Sequence, residues 1–310
     1  MKTLLLIDAN SLLHRAYHAL PPLTAKDGSP AGALYGVTKI MNKILREEKP
    51  EYVAACFDRP EPTFRKEEFK EYKAQRPETA DELISQLIAA HDLFAALGVR
   101  VFDKAGFEAD DCIATLAHLF DKEEDLQTVI LTGDRDTLQL VRGDRIVVRA
   151  PRKGVSDAKI YDENAIREEY GLNPQQIVDY KALSGDPSDN IKGVPGVGPK
   201  GAVALLSKYA TIEEILAHPE DPATAKVVSQ REAAEQSKRL VILRTDAPLD
   251  VSALEDLSVR EDDLDREAYF SKLGFKSLTS GGDNNGKASA RASKKATKAE
   301  TQESPQGKMF

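Results

Sequence analysis

Cysteine is nearly absent: Cys56 and Cys112 are the two in 310 residues, so no disulfide framework can be built. Both read as small buried hydrophobes of a reducing cytosol. Long apolar runs are missing as well. None approaches the roughly 20 residues that a membrane-spanning helix needs, and the run Leu4–Ile7 stops at Asp8 instead of extending into a signal peptide. We therefore expect a cytoplasmic protein with no membrane association. An excess of positive charge is also lacking, since the net charge is −8. That argues against a uniformly basic nucleic-acid surface, yet a carboxylate cluster holding metal ions can leave a protein acidic overall and basic where a polyanion lies. What is present is 41% hydrophobic and 30% charged residues, the balance of a soluble globular chain long enough for two modest domains or one elaborated domain.

Short, almost wholly apolar runs at 3–7, 52–57, 100–102 and 128–131 read as strands of a parallel sheet covered on both faces. Between them, 31–48, 80–97 and 109–120 carry apolar residues at helical spacing. Leu83, Leu87, Ala90, Phe94 and Leu97 make one stripe, and Gly98 supplies its C-cap. This alternation predicts an α/β fold with a mostly parallel central sheet flanked by helices. After about residue 162 helices dominate, at 164–170, 174–183, 198–209, 212–217, 232–244 and 262–273. The stretch 279–310 is polar and aperiodic, and is expected to be a disordered basic tail or linker. The expected division is 1–165 for the α/β domain and 166–278 for the helical region.

Acids number 51, so proximity in sequence means little and position relative to the strands means more. Asp8 follows the first strand, Asp58 the second, and Asp134 with Asp136 follow the run 128–131. Open parallel sheets bind ligands beyond the carboxyl ends of their strands. Glu108, Asp110 and Asp111 stand where a helix begins. Each group has an ordinary alternative, because acids cap helices and form turns. Together their repulsion calls for cations between them. Hard oxygen donors without nearby His or Cys favour Mg²⁺ or Mn²⁺ over Zn²⁺. A further pair, Asp186 and Asp189, lies in SGDPSDN.

Two segments suit a nucleic-acid backbone. GVPGVGPK at 193–200 precedes a good helix, with Lys192, Lys200 and Lys208 nearby; its glycines admit a phosphate close to backbone N–H groups, as in a helix-hairpin-helix at about 188–209. In 64–76, Arg65, Lys66, Lys70, Lys73 and Arg76 interleave with Phe64, Phe69 and Tyr72. That alternation suits a single strand threading past, although a solvated amphipathic helix would look the same.

The stretches LLLIDANSLLHRAYHALPPLT, CFDRPEPTFRKEEFKEYKAQRP, GFEADD, LTGDRD, SGDPSDNIKGVPGVGPK and YFSKLGFKSL, in this order, resemble the 5′ nuclease family. That family comprises the 5′–3′ exonuclease domain of bacterial DNA polymerase I and the flap endonucleases. The resemblance implies a PIN-like or resolvase-like sheet, a helical arch at about 62–98 and two metal positions. Asp8, Asp58, Glu108 and Asp110 correspond to the first position; Asp111, Asp134, Asp136, Asp186 and Asp189 correspond to the second. It implies catalytic or approach roles for Lys73, Arg76, Arg15 and Tyr17. DNA contacts fall to Arg65, Tyr72, Lys73, Arg76, Lys192, Gly193, Gly196, Gly198 and Lys200, and a K⁺ ion to the hairpin carbonyls. Ala9, Gly201 and Ala80 depart from residues usual in the family.

The implied reaction is two-metal hydrolysis of DNA at a 5′ flap, nick or 5′ end, in primer removal and repair. Water activation is left to metal rather than to a side-chain base. The expected protein is a monomer that works with polymerase modules in the same or another chain. Rival readings are a non-catalytic DNA-structure-binding module, a related RNase, which would lack the hairpin, and an Asp-nucleophile phosphatase, whose usual second acid is Asn10 here.

Overall fold

The computed structural model describes residues 1–152, 158–260, 263–275 and 278; the tail expected at 279–310 lies outside them. Six strands form one sheet in the order β3-β2-β1-β4-β5-β6. They are β1 (Lys2–Asp8), β2 (Tyr52–Cys56), β3 (Arg100–Phe102), β4 (Leu126–Leu131), β5 (Ile146–Pro151) and β6 (Ala158–Tyr161). All neighbours run parallel except β5 and β6. The apolar runs are continuous because both faces are covered. Leu5 and Ile7 enter one core with Val53 and Ala55, while Leu4 and Leu6 enter the other with Tyr52, Ala54 and Cys56.

Helices α1 (Ala9–Ala19), α2 (Gly32–Glu47), α3 (Phe64–Glu68), α4 (Asp81–Ala96) and α5 (Ala109–Leu119) belong to this part of the chain. Leu12, Met41, Phe94 and Phe270 cover the first face; Ile113, Leu116 and Ile166 cover the second. The chain continues through α6 (Glu163–Tyr170), α7 (Ile177–Ser184), α8 (Pro199–Tyr209), α9 (Ile212–Ala217), α10 (Ala225–Val228), α11 (Arg231–Val241) and α12 (Asp263–Leu273). Leu183, Val194, Ala202, Leu206 and Ile215 give this helical region a core of its own.

Several elements escaped the pattern reading or ended elsewhere than expected. Helix α1 starts on the residue after β1, with no loop to signal it, and Asp8 ends the strand and caps the helix at once. Strand β6 is the edge strand and β5 lies beside it, and Arg149 and Lys159 interrupt their short apolar signal. The helix expected over 232–244 stops at Val241, because Ile242 turns extended and the Leu243 N–H donates to Gln139 Oε1 at 3.0 Å. At the other boundary Gly98 has φ +72°, and a Cβ there would sit 1.9 Å from the Arg260 carbonyl oxygen. Only glycine permits that approach.

Strand order places β1 at the centre, with β2 and β3 laid to one side and β4 and β5 to the other. The crossover reverses between β1 and β4, so their carboxyl ends flank the crevice where such sheets take ligands.

Candidate active site

Asp8 closes β1 and is almost wholly buried. Its Oδ1 accepts from the Ser11 N–H at 2.9 Å and its Oδ2 from Thr132 Oγ1 at 2.6 Å. Asp58 lies just beyond β2 and accepts from the Ala109 N–H at 2.8 Å, which ties it to the start of α5. Asp134 follows β4, and its Oδ1 accepts from the Asp136 N–H at 2.9 Å. These three, with Glu108 and Asp110 from the first turn of α5, line one open cleft of about 320 Å³. Lys73, Arg76, Asn10 and His14 complete its wall.

A second group adjoins the first. Lys181 on α7 places its ammonium between Asp136 and Asp186, 2.8 Å from the latter. Asp189 accepts from Arg76 at 2.6 Å and from the Tyr72 hydroxyl at 3.0 Å. The same hydroxyl oxygen lies 3.0 Å from Glu108 Oε2, so the two acids share one proton donor, and the other oxygen of Glu108 accepts from Lys73 Nζ at 3.0 Å. The Lys73 N–H donates to the Asp189 carbonyl at 3.0 Å, joining the arch to the loop that leads into the hairpin.

Burial dominates the electrostatics. It pushes Asp8 up to about 7, with Asp58 and Asp134 adding to the shift and the hydrogen bonds from Thr132 and Ser11 opposing it. Asp136 is likewise raised to about 7 by burial and then by Asp134, against the pull of Lys181. Asp110 is held well above the carboxylate range by burial, Asp134 and Asp8. Its Oδ1 is sealed from solvent and meets no donor. Among the described residues, no three His, Cys, Asp or Glu side chains already close on a single point. The acids converge on the cleft, and several are engaged by Lys73, Arg76 and Lys181. A partnerless buried carboxylate oxygen beside four further acids fits a hard divalent cation.

Residues 3–171 match the family model for the 5′–3′ exonuclease N-terminal resolvase-like domain, and residues 172–265 that for the 5′–3′ exonuclease C-terminal SAM fold. The chain belongs to the 5′–3′ exonuclease family. Among relatives in this family, the 5′–3′ exonuclease of Aquifex aeolicus is 34% identical over 279 residues, covering 90% of this chain and 94% of that one. DNA polymerase I of Bacillus caldotenax is 41% identical over 282 residues, covering 89% of this chain and 32% of that protein. The chain thus spans about a third of the length of the polymerase relatives it matches. A bacteriophage T5 flap endonuclease solved with DNA and metal ions shares the fold, with a TM-score of 0.65 at 19% identity over 77% of this chain and 89% of that one.

Several residues that the resemblance to 5′–3′ exonucleases singled out stand elsewhere. Asp111 is fully buried, does not line the cleft and is engaged by Arg65. Arg65, expected to contact DNA, is 1% exposed and turned into the protein. Tyr72 is buried too and has no open face for a base. Gly193 packs on the backbone of Gly185 and Leu183 rather than facing outward. Arg15 and Tyr17 do not line the cleft, and Tyr17 donates to Glu82 at 3.2 Å. Lys192, Gly196, Gly198 and Lys200 are exposed at the hairpin. Its Gly196 and Pro195 carbonyls accept from Lys226 at 3.2 Å and Gln230 at 3.0 Å.

Two residues of the acidic region had been passed over, one in the cleft wall and one beside Asp136 and Asp186. His14 belongs to the first motif and lines the wall four residues after Asn10; recognising α1 would have placed both on one helical face. Lys181 stands five residues before Asp186 and carries no signal beyond ordinary helix composition.

Proposed function

We propose that this chain is a structure-specific 5′ nuclease that hydrolyses DNA phosphodiester bonds near 5′ ends, nicks or flap junctions. The observation that carries this reading is one cleft at the β1/β4 switch point, where five carboxylates meet two cations of the arch segment. Asp8, Asp58, Glu108 and Asp110 would hold one divalent ion, and Asp134, Asp136, Asp186 and Asp189 another. Such ions supply charge neutralisation, an acidified water and stabilisation of the departing 3′ oxygen.

The chain's own residues orient the substrate around that chemistry. Lys73 and Arg76 stand in the cleft wall, where an entering phosphate meets their charge. Asp8 is immobilised by Thr132 and Ser11, and Asp58 by the first turn of α5, so neither has to reorganise when charge develops. The exposed lysines and glycines at 192–200 would hold the duplex backbone without reading sequence. We place the catalytic unit at 1–165 and the duplex-holding unit at 166–278. The protein would act as a monomer, alone or beside polymerase modules.

The test is cleavage of a 5′-labelled flap duplex with Mg²⁺, Mn²⁺ or EDTA. Metal-dependent cutting near the junction is expected, and Asp134→Asn should abolish it while leaving DNA binding. Tight binding without cutting under every metal would instead make the chain a DNA-structure-binding module.

A further inference from the structure

Asp111 and Arg65 form a pair with no capacity left over. Asp111 is 0% exposed, and each of its oxygens already accepts twice. Oδ1 takes Arg65 Nη2 at 2.8 Å and the Arg244 N–H at 2.9 Å; Oδ2 takes Arg65 Nη1 at 2.7 Å and the Glu108 N–H at 3.0 Å. Arg65 spends its remaining donors in the same way. Nε donates to the Leu240 carbonyl at 2.8 Å, Nη2 also to the Ile242 carbonyl at 2.9 Å, and Nη1 also to Glu108 Oε2 at 3.4 Å. A guanidinium carries five N–H groups and a carboxylate about four acceptor sites, so both inventories are full. No lone pair of Asp111 remains for a cation.

Resting on the nuclease reading above, we propose that Asp111 and Arg65 are positioning residues of the carboxylate site and bind neither metal nor DNA. Asp111 fixes the first turn of α5 through the Glu108 N–H, and from that turn Glu108 and Asp110 reach the cleft. Arg65 touches Glu108 directly, eight residues ahead of Lys73 on the arch segment. Through Leu240 and Ile242 it anchors that segment to the end of α11. One buried contact therefore sets the place of two cleft acids and the foot of the arch together. Such a pair is costly to break from one side, because the abandoned charge stays buried.

The experiment compares Asp111→Asn, Arg65→Lys, their double variant and Asp134→Asn, all in the full chain. Mn²⁺ stoichiometry is measured by titration calorimetry without DNA, and kcat and KM on a flap duplex well below each melting temperature. We expect Asp111→Asn and Arg65→Lys to keep the parent's Mn²⁺ stoichiometry. Each should lower kcat by about 10- to 100-fold, the range for residues that orient metal ligands, with a smaller change in KM. The double variant should be no worse than the poorer single one, as for groups acting through one contact. Asp134→Asn should lose a Mn²⁺ ion.

Loss of a Mn²⁺ ion in Asp111→Asn but not in Arg65→Lys would make Asp111 a ligand and overturn the proposal. Unchanged kcat in folded variants would overturn it as well, leaving the pair a matter of stability alone. If the single variants fail to fold, the apolar double replacement Asp111→Leu with Arg65→Met carries the same two readouts. A parent chain that cuts nothing refutes the nuclease reading, and the Mn²⁺ stoichiometry still decides whether Asp111 is a ligand.

Discussion

Asp110 and Asp111 are chain neighbours with opposite fates. Asp110 keeps a buried oxygen without a donor, and burial and Asp134 hold its acidity down. Replacing it with a neutral amide removes charge that the metal-free fold tolerates poorly. Asp110→Asn should therefore abolish cleavage and stabilise the protein in EDTA by about 0.5–2 kcal/mol, read by thermal melting; a lower melting temperature would contradict this. Lys73 tells a related story. It holds φ at +54°, unusual for a side-chain-bearing residue, with its ammonium against Glu108. Lys73→Ala should lower kcat by about 100-fold, as losing one preorganised donor does, with a smaller rise in KM. Equal effects on both would make Lys73 a binding residue only. Nothing in the dipeptide Asp110–Asp111 tells the two acids apart. The distinction comes from Arg65, which is 46 positions away from Asp111.

At the scale of elements, the hairpin shows how glycines of one motif divide their work. Gly193 has φ +66°, and a Cβ there would lie 2.3 Å from the Gly185 nitrogen. Gly198 has open space around its Cα. Gly193→Ala should destabilise by more than about 2 kcal/mol, which lowers the melting temperature by roughly 4 °C or more. Gly198→Ala should leave stability within about 1 kcal/mol and weaken DNA binding instead. Comparable melting temperatures for the two variants would refute the division. The motif GVPGVGPK announced a tight turn before a helix; which glycine packs inward follows from the C-terminal end of α7, at 183–185, packing against it. Strands β1, β2 and β4 were legible because both of their faces are buried, whereas β6 was not, because an edge needs less apolar sequence, and β5 beside it is cut short by Arg149.

Over the whole molecule, the buried acids make metal-free stability depend on pH. Asp8 and Asp136 move from 3.8 to about 7 on folding, so between these values the folded state holds protons that the unfolded chain has released. The stability they contribute is present below about 4 and is lost as pH rises through about 7. His14, lowered from 6.5 by burial, works in the opposite direction and offsets part of this. The melting temperature in EDTA should therefore fall from pH 5 to pH 8, and Mg²⁺ at pH 8 should restore it by binding the folded state alone. A metal-free curve that rises across that window would refute the account.

The sequence alone determined the α/β alternation, the acids at strand ends, the hairpin motif and the family, because apolar periodicity and motif order are written locally. Tertiary structure alone decided which acids meet in the cleft, that His14 joins them while Lys181 stands between Asp136 and Asp186, and that Arg65, Asp111 and Tyr72 turn inward. Those outcomes depend on how distant segments compete for a limited number of buried donors and acceptors, and no local pattern records that competition.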